Sequence, residues 1–363
     1  MKTTKALAVS SAAVLALGVA ACGSSNDSSS SSSSSSSAPA TVNGAGSTFA
    51  APIYQQVASN LKDQGLTINY QGVGSGAGVS QLTAGTVDFA GSDPSLKDEE
   101  ITALKKGAPI ELPFAFGAIT ASYNLSGVKS GLKLDGKTIA DIYLNKVTKW
   151  NDPEIAAQNS GTTLPDKPIT VIHRSDSSGT TKGFTQFMAN YSPEWKSGPG
   201  VDKTIKWPTG TGAKGNNGVA AAVKQTDGAI GYVEQAYALQ NNFTFAAVKN
   251  KSGKYVSPTL ESTSAAGDSL TLPDDLRFTA IDAPGPTAYP IVSQTFVIVH
   301  TDLCQGGMTE QKAKVFKAFI DYGLGTDGQN AAKQLSYAPL PSALLEKAKA
   351  QVTKLQCNGS PLS

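Results

Sequence analysis

Three observations predict an α/β fold in more than one domain. From Val42 onward, short β-branched or alternating apolar runs take turns with stretches of helical periodicity. The turns between them are rich in Gly, Ser and Thr, as strand-to-helix turns are in open α/β sheets. A chain of 363 residues with 40% hydrophobic content can bury a sizeable core, and its length suggests two domains.

Each element follows from local pattern. Val42–Phe49 reads as a strand entering a Gly-rich loop, and Ile53, Val57 and Leu61 then recur at helical spacing after Pro52. Leu66–Tyr70 alternates as a strand. Gly72-Val73-Gly74-Ser75-Gly76-Ala77-Gly78 leads from it into a helix through Val79 and Leu82 that stops at Gly85. Thr86–Asp93 is a third short strand, and Pro94 biases Asp93 away from helix at its end. Lys97–Lys106 reads as a surface helix, and Glu111–Ile119 as an apolar strand that could leave the first domain. A turn at Asp135-Gly136 opens a helix through Tyr143. Pro168–Ile172 is a strand feeding His173-Arg174-Ser175-Asp176-Ser177-Ser178-Gly179-Thr180-Thr181, with a helix from near Lys182 to Tyr191. Phe184, Phe187 and Met188 on that helix read as core. The glycine loop 207–218 enters a helix at Val219–Lys224. It lacks the GxxxxGK[ST] order, so no nucleotide site is expected. Ala229–Glu234 is a buried strand, 251–290 is expected to be largely loop, and Ile291–His300 is a strand long enough to cross back to the first domain. Two helices, Glu310–Tyr322 and Ser342–Leu355, close the chain.

The stretch 174–180 carries the chemistry of an oxyanion pocket. A helix N-terminus presents free N–H groups and positive potential, and Arg174 adds a planar fork of donors. Taken alone, it also reads as an N-cap with a surface Arg–Asp pair. Thr48, Ser75 and Asp93 lie at the same kind of position, at the carboxyl ends of strands, and the coincidence favours a binding site.

Other function classes fit less well. A net charge of +2 argues against a broad nucleic-acid surface. With His173 and His300 as the only histidines and no CxxC pair, no metal site is expected. Residues 1–22 resemble a secretory lipoprotein signal ending in Val19-Ala20-Ala21-Cys22. That makes Cys22 the expected lipidated N-terminus, and an ordinary cleaved signal is the alternative. Residues 23–41, with the run Ser28–Ser37, are then a flexible tether. In an exported protein Cys304 and Cys357 read as a disulfide tying the C-terminal tail to the body, with two free buried thiols as the alternative.

The segments Gly44-Ala45-Gly46-Ser47-Thr48-Phe49, Tyr70-Gln71-Gly72-Val73-Gly74-Ser75-Gly76, Val87-Asp88-Phe89-Ala90-Gly91-Ser92-Asp93, Arg174–Thr180 and Gly228-Ala229-Ile230-Gly231-Tyr232-Val233-Glu234 together resemble the substrate-binding proteins of high-affinity phosphate ABC transporters. The resemblance runs from about Asn43 to the last helix and is weakest over 251–290. It implies a two-lobed, type-II periplasmic-binding-protein fold with a hinged cleft. Lobe I would be 42–116 plus 291–363, and lobe II 117–290. It implies phosphate contacts from Thr48, the Phe49 backbone N–H, Ser75, Asp93, Arg174, Ser178, Gly179 and Thr180, with Asp176 holding Arg174. It also implies no catalysis, no cofactor, a monomer held to the outer face of the cell membrane by a palmitate-type anchor on Cys22, and delivery to permease and ATPase subunits. Two positions depart from the family pattern: Gly76 stands where serine is common, and His173 where a second arginine is common. The alternatives are an extracellular phosphoryl-transfer or ester-hydrolysing enzyme using the same pocket, and a receptor for another tetrahedral oxyanion. The absence of GxSxG and of a Ser/His/Asp set argues against the enzyme.

Overall fold

A computed structural model describes residues 40–362. The signal segment 1–22, Cys22 and all but the end of the 23–41 tether lie outside the described residues.

In chain order the main elements are β1 (Thr41–Gly46), α1 (Ala51–Lys62), β2 (Thr67–Gly72), α2 (Ser75–Ala84), β3 (Phe89–Ser92), α3 (Asp98–Ala103), β4 (Pro109–Asn124), α4 (Gly136–Tyr143), β5 (Thr170–Arg174), α5 (Gly179–Tyr191), β6 (Thr211–Ala213), α6 (Gly215–Gln225), β7 (Ala229–Glu234), β8 (Thr244–Phe245), α7 (Leu260–Asp268), β9 (Val292–His300), α8 (Glu310–Gly323), α9 (Thr326–Gln334) and α10 (Ser342–Val352). Nine strands form one sheet in the order β2-β1-β3-β9-β4-β7-β5-β6, with β8 pairing on β4. β1 runs parallel to β2 and β3, and β5 runs parallel to β6 and β7. The antiparallel strand β4 joins these two groups. Its residues Pro109–Ala118 pair with β9, and Ile119–Asn124 pair with β7. One long strand therefore serves two half-sheets. In each half the strand-to-helix turns face the same region, because parallel strands put their carboxyl ends on one edge.

Alternating apolar positions drive each half. In the first, Tyr54 packs edge-on against Tyr70 and Phe114, and Phe114 stacks on Phe319. In the second, Phe184 stacks on Tyr232 with ring centroids 4.4 Å apart, and Tyr143 and Trp207 pack around them. Phe184, Phe187 and Met188 are fully buried, as core residues should be.

Three local expectations need correction. α5 begins at Gly179, not near Lys182, because the Ser178 hydroxyl accepts the Thr181 N–H at 3.1 Å and caps the helix earlier than its apolar spacing suggests. The loop 207–218 contains β6, and its helix starts at Gly215. Residues 251–290 are largely loop, as expected, with α7 as the helical exception. α7 forms there on a Thr259/Ser262 capping box, and its Ser-rich sequence carries little apolar periodicity. The chain closes with α9 between the two expected helices; it is polar along most of its length and is held by Gln329, whose amide bonds the carbonyls of Phe114 and Gly323 and the Leu340 N–H.

Cys304 and Cys357 are disulfide-bonded, and Asp302 accepts backbone N–H groups from Cys304, Asn358 and Gly359 beside them. The bond closes a long loop, so reduction is expected to lower unfolding free energy by about 2–4 kcal/mol. Denaturant melts with and without a thiol reductant read this directly.

Candidate functional site

The two half-sheets bring their polar turns face to face. From the first half, β1 delivers Ser47 and Thr48, the start of α2 delivers Ser75, and the end of β3 delivers Asp93; all four are buried. From the second half, β5 ends in Arg174, the N-terminus of α5 supplies Ser178, Gly179 and Thr180, and α6 opens with Gly215 and Asn216.

Arg174 is locked in place. Its Nε and Nη2 bond the two carboxylate oxygens of Asp176 at 2.7 and 2.5 Å, and its Nη1 reaches Thr180 Oγ1 at 3.3 Å. Asp176 also accepts the Gly215 N–H, and the guanidinium beside it holds its carboxyl below the usual range against the opposing effect of burial. Behind them the Tyr232 hydroxyl accepts the Arg174 N–H and bonds the Thr181 hydroxyl, so the aromatic stack fixes the end of β5.

Asp93 is the acceptor of the cluster. Its Oδ1 takes the Ser47 hydroxyl at 2.5 Å, and the Gln294 amide donates to its backbone carbonyl. Its Oδ2 is buried and has no hydrogen-bond partner among the described residues. That oxygen faces the start of α5: a Cβ on Gly179 would come within 2.3 Å of it and 2.7 Å of Ser75 Oγ. Burial pushes the Asp93 carboxyl up to about 7, only partly offset by Ser47 and by the Arg174 charge. A site of this kind takes an anion that carries donors as well as acceptors.

Contacts across the two halves are direct. Gly179 N–H donates to Ser75 Oγ at 3.2 Å, and Gly76 N–H donates to the Ser177 carbonyl at 3.1 Å. Asn216 donates to Thr48 Oγ1 through its backbone N–H at 3.1 Å and its amide at 2.9 Å. The same amide lies 3.4 Å from Thr180 Oγ1. Tyr237 donates to the Thr48 carbonyl at 2.7 Å. The cleft is closed, and Gly179 lets the helix meet Asp93. Gly179→Ala is expected to hold the halves apart and weaken anion binding at least tenfold, since no side chain fits the 2.3 Å gap. Calorimetric titration of that variant with phosphate checks it.

Thr48, Ser75, Asp93, Arg174, Ser178, Gly179 and Thr180, picked out from sequence, thus meet at one place; Phe49, expected to contribute its backbone N–H, follows Thr48 directly, and its ring is core against Tyr337. Ser47, Asn216, Tyr232 and Tyr237 join them without having been singled out. Ser47 had a signal, being next to Thr48 in a strand-to-helix turn. Asn216 had a weaker one, a small polar residue at the opening of a helix. The two departures from the family pattern also find physical reasons. Gly76 faces Ser177, whose hydroxyl lies 2.0 Å from where a Cβ would stand, so the second half fills that space. His173 turns away and stacks on Trp207 at 4.7 Å, its Nδ1 bonded to the Arg174 carbonyl.

A family model described as a PBP superfamily domain matches residues 31–326. The phosphate-binding protein PstS of Pasteurella multocida is 41% identical over 317 residues, covering 86% of this chain and 89% of that protein. The chain belongs to the PstS family within the PBP superfamily. A PstS from the archaeon Methanocaldococcus jannaschii is 37% identical, covering 76% of this chain and 74% of its own length. Among solved structures, a high-affinity periplasmic phosphate-binding protein bound with phosphate superposes with a TM-score of 0.72 at 22% identity, covering 88% of this chain and 96% of that one. A phosphate-binding protein from Stenotrophomonas maltophilia gives 0.67 at 19% identity, covering 86% and 93%. These likenesses share the two-lobed architecture of the family.

Proposed function

We propose that this protein is a high-affinity phosphate receptor that closes on inorganic phosphate outside the cytoplasm and delivers it to the permease and ATPase subunits of an ABC importer. The observation that carries the reading is the buried, unpartnered Oδ2 of Asp93, which faces a helix N-terminus and lies near a locked guanidinium. Membership of the PstS family supports the ligand class. Thr48, Ser75, Arg174, Ser178, Gly179 and Thr180, with the Phe49 N–H, supply donors to the phosphate oxygens, and Asp176 orients Arg174. Ser178 accepts an N–H through a lone pair, which leaves its hydroxyl hydrogen to donate to the ligand, and Ser75 accepts the Gly179 N–H beside Asp93. Donors outnumber full positive charges, so the anion is stabilised by dipoles and hydrogen bonds.

Asp93 selects among oxyanions. Phosphate near neutral pH keeps a proton and donates it to Oδ2, whereas sulfate has none to give and meets a carboxylate. The lobes are taken as 42–116 plus 291–363 and 117–290, with closure about β4, β7 and β9. A lipid on Cys22 and the 23–41 tether would hold a monomer at the membrane's outer face; among the described residues no helix is long and apolar enough to span one. Neither histidine is placed to serve an ester hydrolase as a base at Ser75 or Ser178. His173 is instead on Trp207 and His300 is against the Gly107 carbonyl.

Equilibrium titration with phosphate and with sulfate tests the proposal. Phosphate should bind at micromolar concentration or below and sulfate far more weakly. Absence of phosphate binding in that range sinks it, and turnover of a chromogenic phosphate ester would favour the hydrolase.

A further inference from the structure

Outside the anion site the two lobes meet again through charges. Lys97, just before α3, and Glu100, within α3, stand on the first lobe. Asp202 and Lys203, in the loop that follows α5 and a short helical turn, stand on the second. Lys97 Nζ bonds both Asp202 oxygens at 2.8 and 3.1 Å, and Lys203 Nζ bonds Glu100 Oε1. The signs are crossed: the first lobe offers plus then minus, and the second offers minus then plus. A shift of one pair position would set Lys97 against Lys203 and Glu100 against Asp202, so the four charges favour a single closed register.

Burial separates the two pairs. The Lys97 and Asp202 side chains are 43% and 40% exposed, so water screens their attraction. The Lys203 side chain is 8% exposed and that of Glu100 is 23%, so this pair is the better shielded from water and the stronger of the two in the closed state. Half-buried Lys182 adds a third positive charge nearby, which makes the two acids necessary for tolerating the lysine cluster. The connection to the site is one backbone hydrogen bond. The Lys203 carbonyl accepts the Ser178 N–H at 2.9 Å, and Ser178 caps α5. A cavity of about 440 Å³ is lined by Lys97, Lys182, Asp93 and Gly179, so Lys97 stands at an opening into the anion site.

We propose that the pairs Lys97–Asp202 and Glu100–Lys203 are a crossed electrostatic latch that holds the lobes shut and sets how slowly the ligand leaves. The latch rests on the phosphate reading for its ligand but not for its geometry. It acts on the closed state whether or not the ligand is present, so breaking it speeds dissociation and shifts the ligand-free protein towards the open form.

The test is a stopped-flow chase of bound phosphate, with small-angle scattering of the ligand-free protein alongside. Lys203→Glu, which sets like charges together, should speed dissociation roughly tenfold or more and enlarge the radius of gyration. Adding Glu100→Lys in the same chain should bring both readings back towards wild type. Lys97→Glu should act in the same direction, roughly threefold, and lose its effect in high salt. Circular dichroism melts confirm that each variant is folded, and the exposed Lys97 variant carries the test if Lys203→Glu is not. If folded Lys203→Glu leaves dissociation and radius unchanged, or if Glu100→Lys fails to restore them, the latch is wrong. If wild type binds no phosphate, the functional reading fails, and the scattering data still decide the latch.

Discussion

Replacing Arg174 by alanine should weaken phosphate binding by roughly a hundredfold or more, since removing one partner of a buried charge pair typically costs about 2–5 kcal/mol. The argument is geometric. The Arg174 side chain is 1% exposed and that of Asp176 is 10% exposed, and two parallel bonds join them. Without the guanidinium, Asp176 keeps backbone N–H groups, that of Gly215 among them, but loses its positive partner, and its charge then opposes the incoming anion. Arg174→Lys should recover part of the affinity and not all of it, because an ammonium cannot bond both Asp176 oxygens and reach Thr180 in one plane. Removing the exposed liability as well, in Arg174→Ala with Asp176→Asn, should bind better than Arg174→Ala alone. Calorimetry across the four proteins gives the comparison; equal affinities for the wild type and Arg174→Ala would remove Arg174 from the site.

Asp93→Asn should abolish sulfate rejection, because the amide donates to an oxyanion at every pH. Wild type should show the same weakness only in acid. With its carboxyl pushed up to about 7, Asp93 holds a proton below that pH and can donate to sulfate, so discrimination should fall as pH drops through about 7. Stability carries a second signature of the same residue. The folded carboxyl lies near 7 and the ordinary value is 3.8, so the folded protein binds this proton more tightly than the unfolded chain does. Its contribution is fully present below about pH 4 and is lost as pH rises to about 7. The loss is on the order of 2–4 kcal/mol for a fully buried group. The ligand-free Asn variant should lack this component, so its stability should gain on wild type across that window. Urea melts at pH 4 and pH 8 measure it, and a variant that tracks wild type at both would contradict the buried-acceptor account.

How much of this was legible beforehand depended on whether the signal was local. The turns at Thr48, Ser75, Asp93 and 174–180 were readable, because a glycine-rich strand end with a hydroxyl before an apolar period has a local cause. α2 runs from Ser75 to the Gly85 stop because its cap and its left-handed glycine lie in the same short segment. α9 and α7 were not readable. The first is held by Gln329 bonding carbonyls far along the chain, and the second by a polar capping box, so neither shows an apolar stripe. The site divides in the same way. Arg174 and Asp176 are two residues apart and could be paired on paper. Asn216 meets Thr48 across 168 positions, and only the closed cleft brings them together. The two sequence departures were settled by distant neighbours: Ser177 opposite Gly76, and Trp207 under His173.

The most direct test of the account is a crystal structure of the protein grown with phosphate. The account predicts tetrahedral density enclosed between the lobes, with donors from Thr48, Ser75, Arg174 and the 178–180 turn around it. One ligand oxygen should lie within hydrogen-bond distance of Asp93 Oδ2. An empty closed cleft, or phosphate bound with Asp93 Oδ2 still unpartnered, would contradict it.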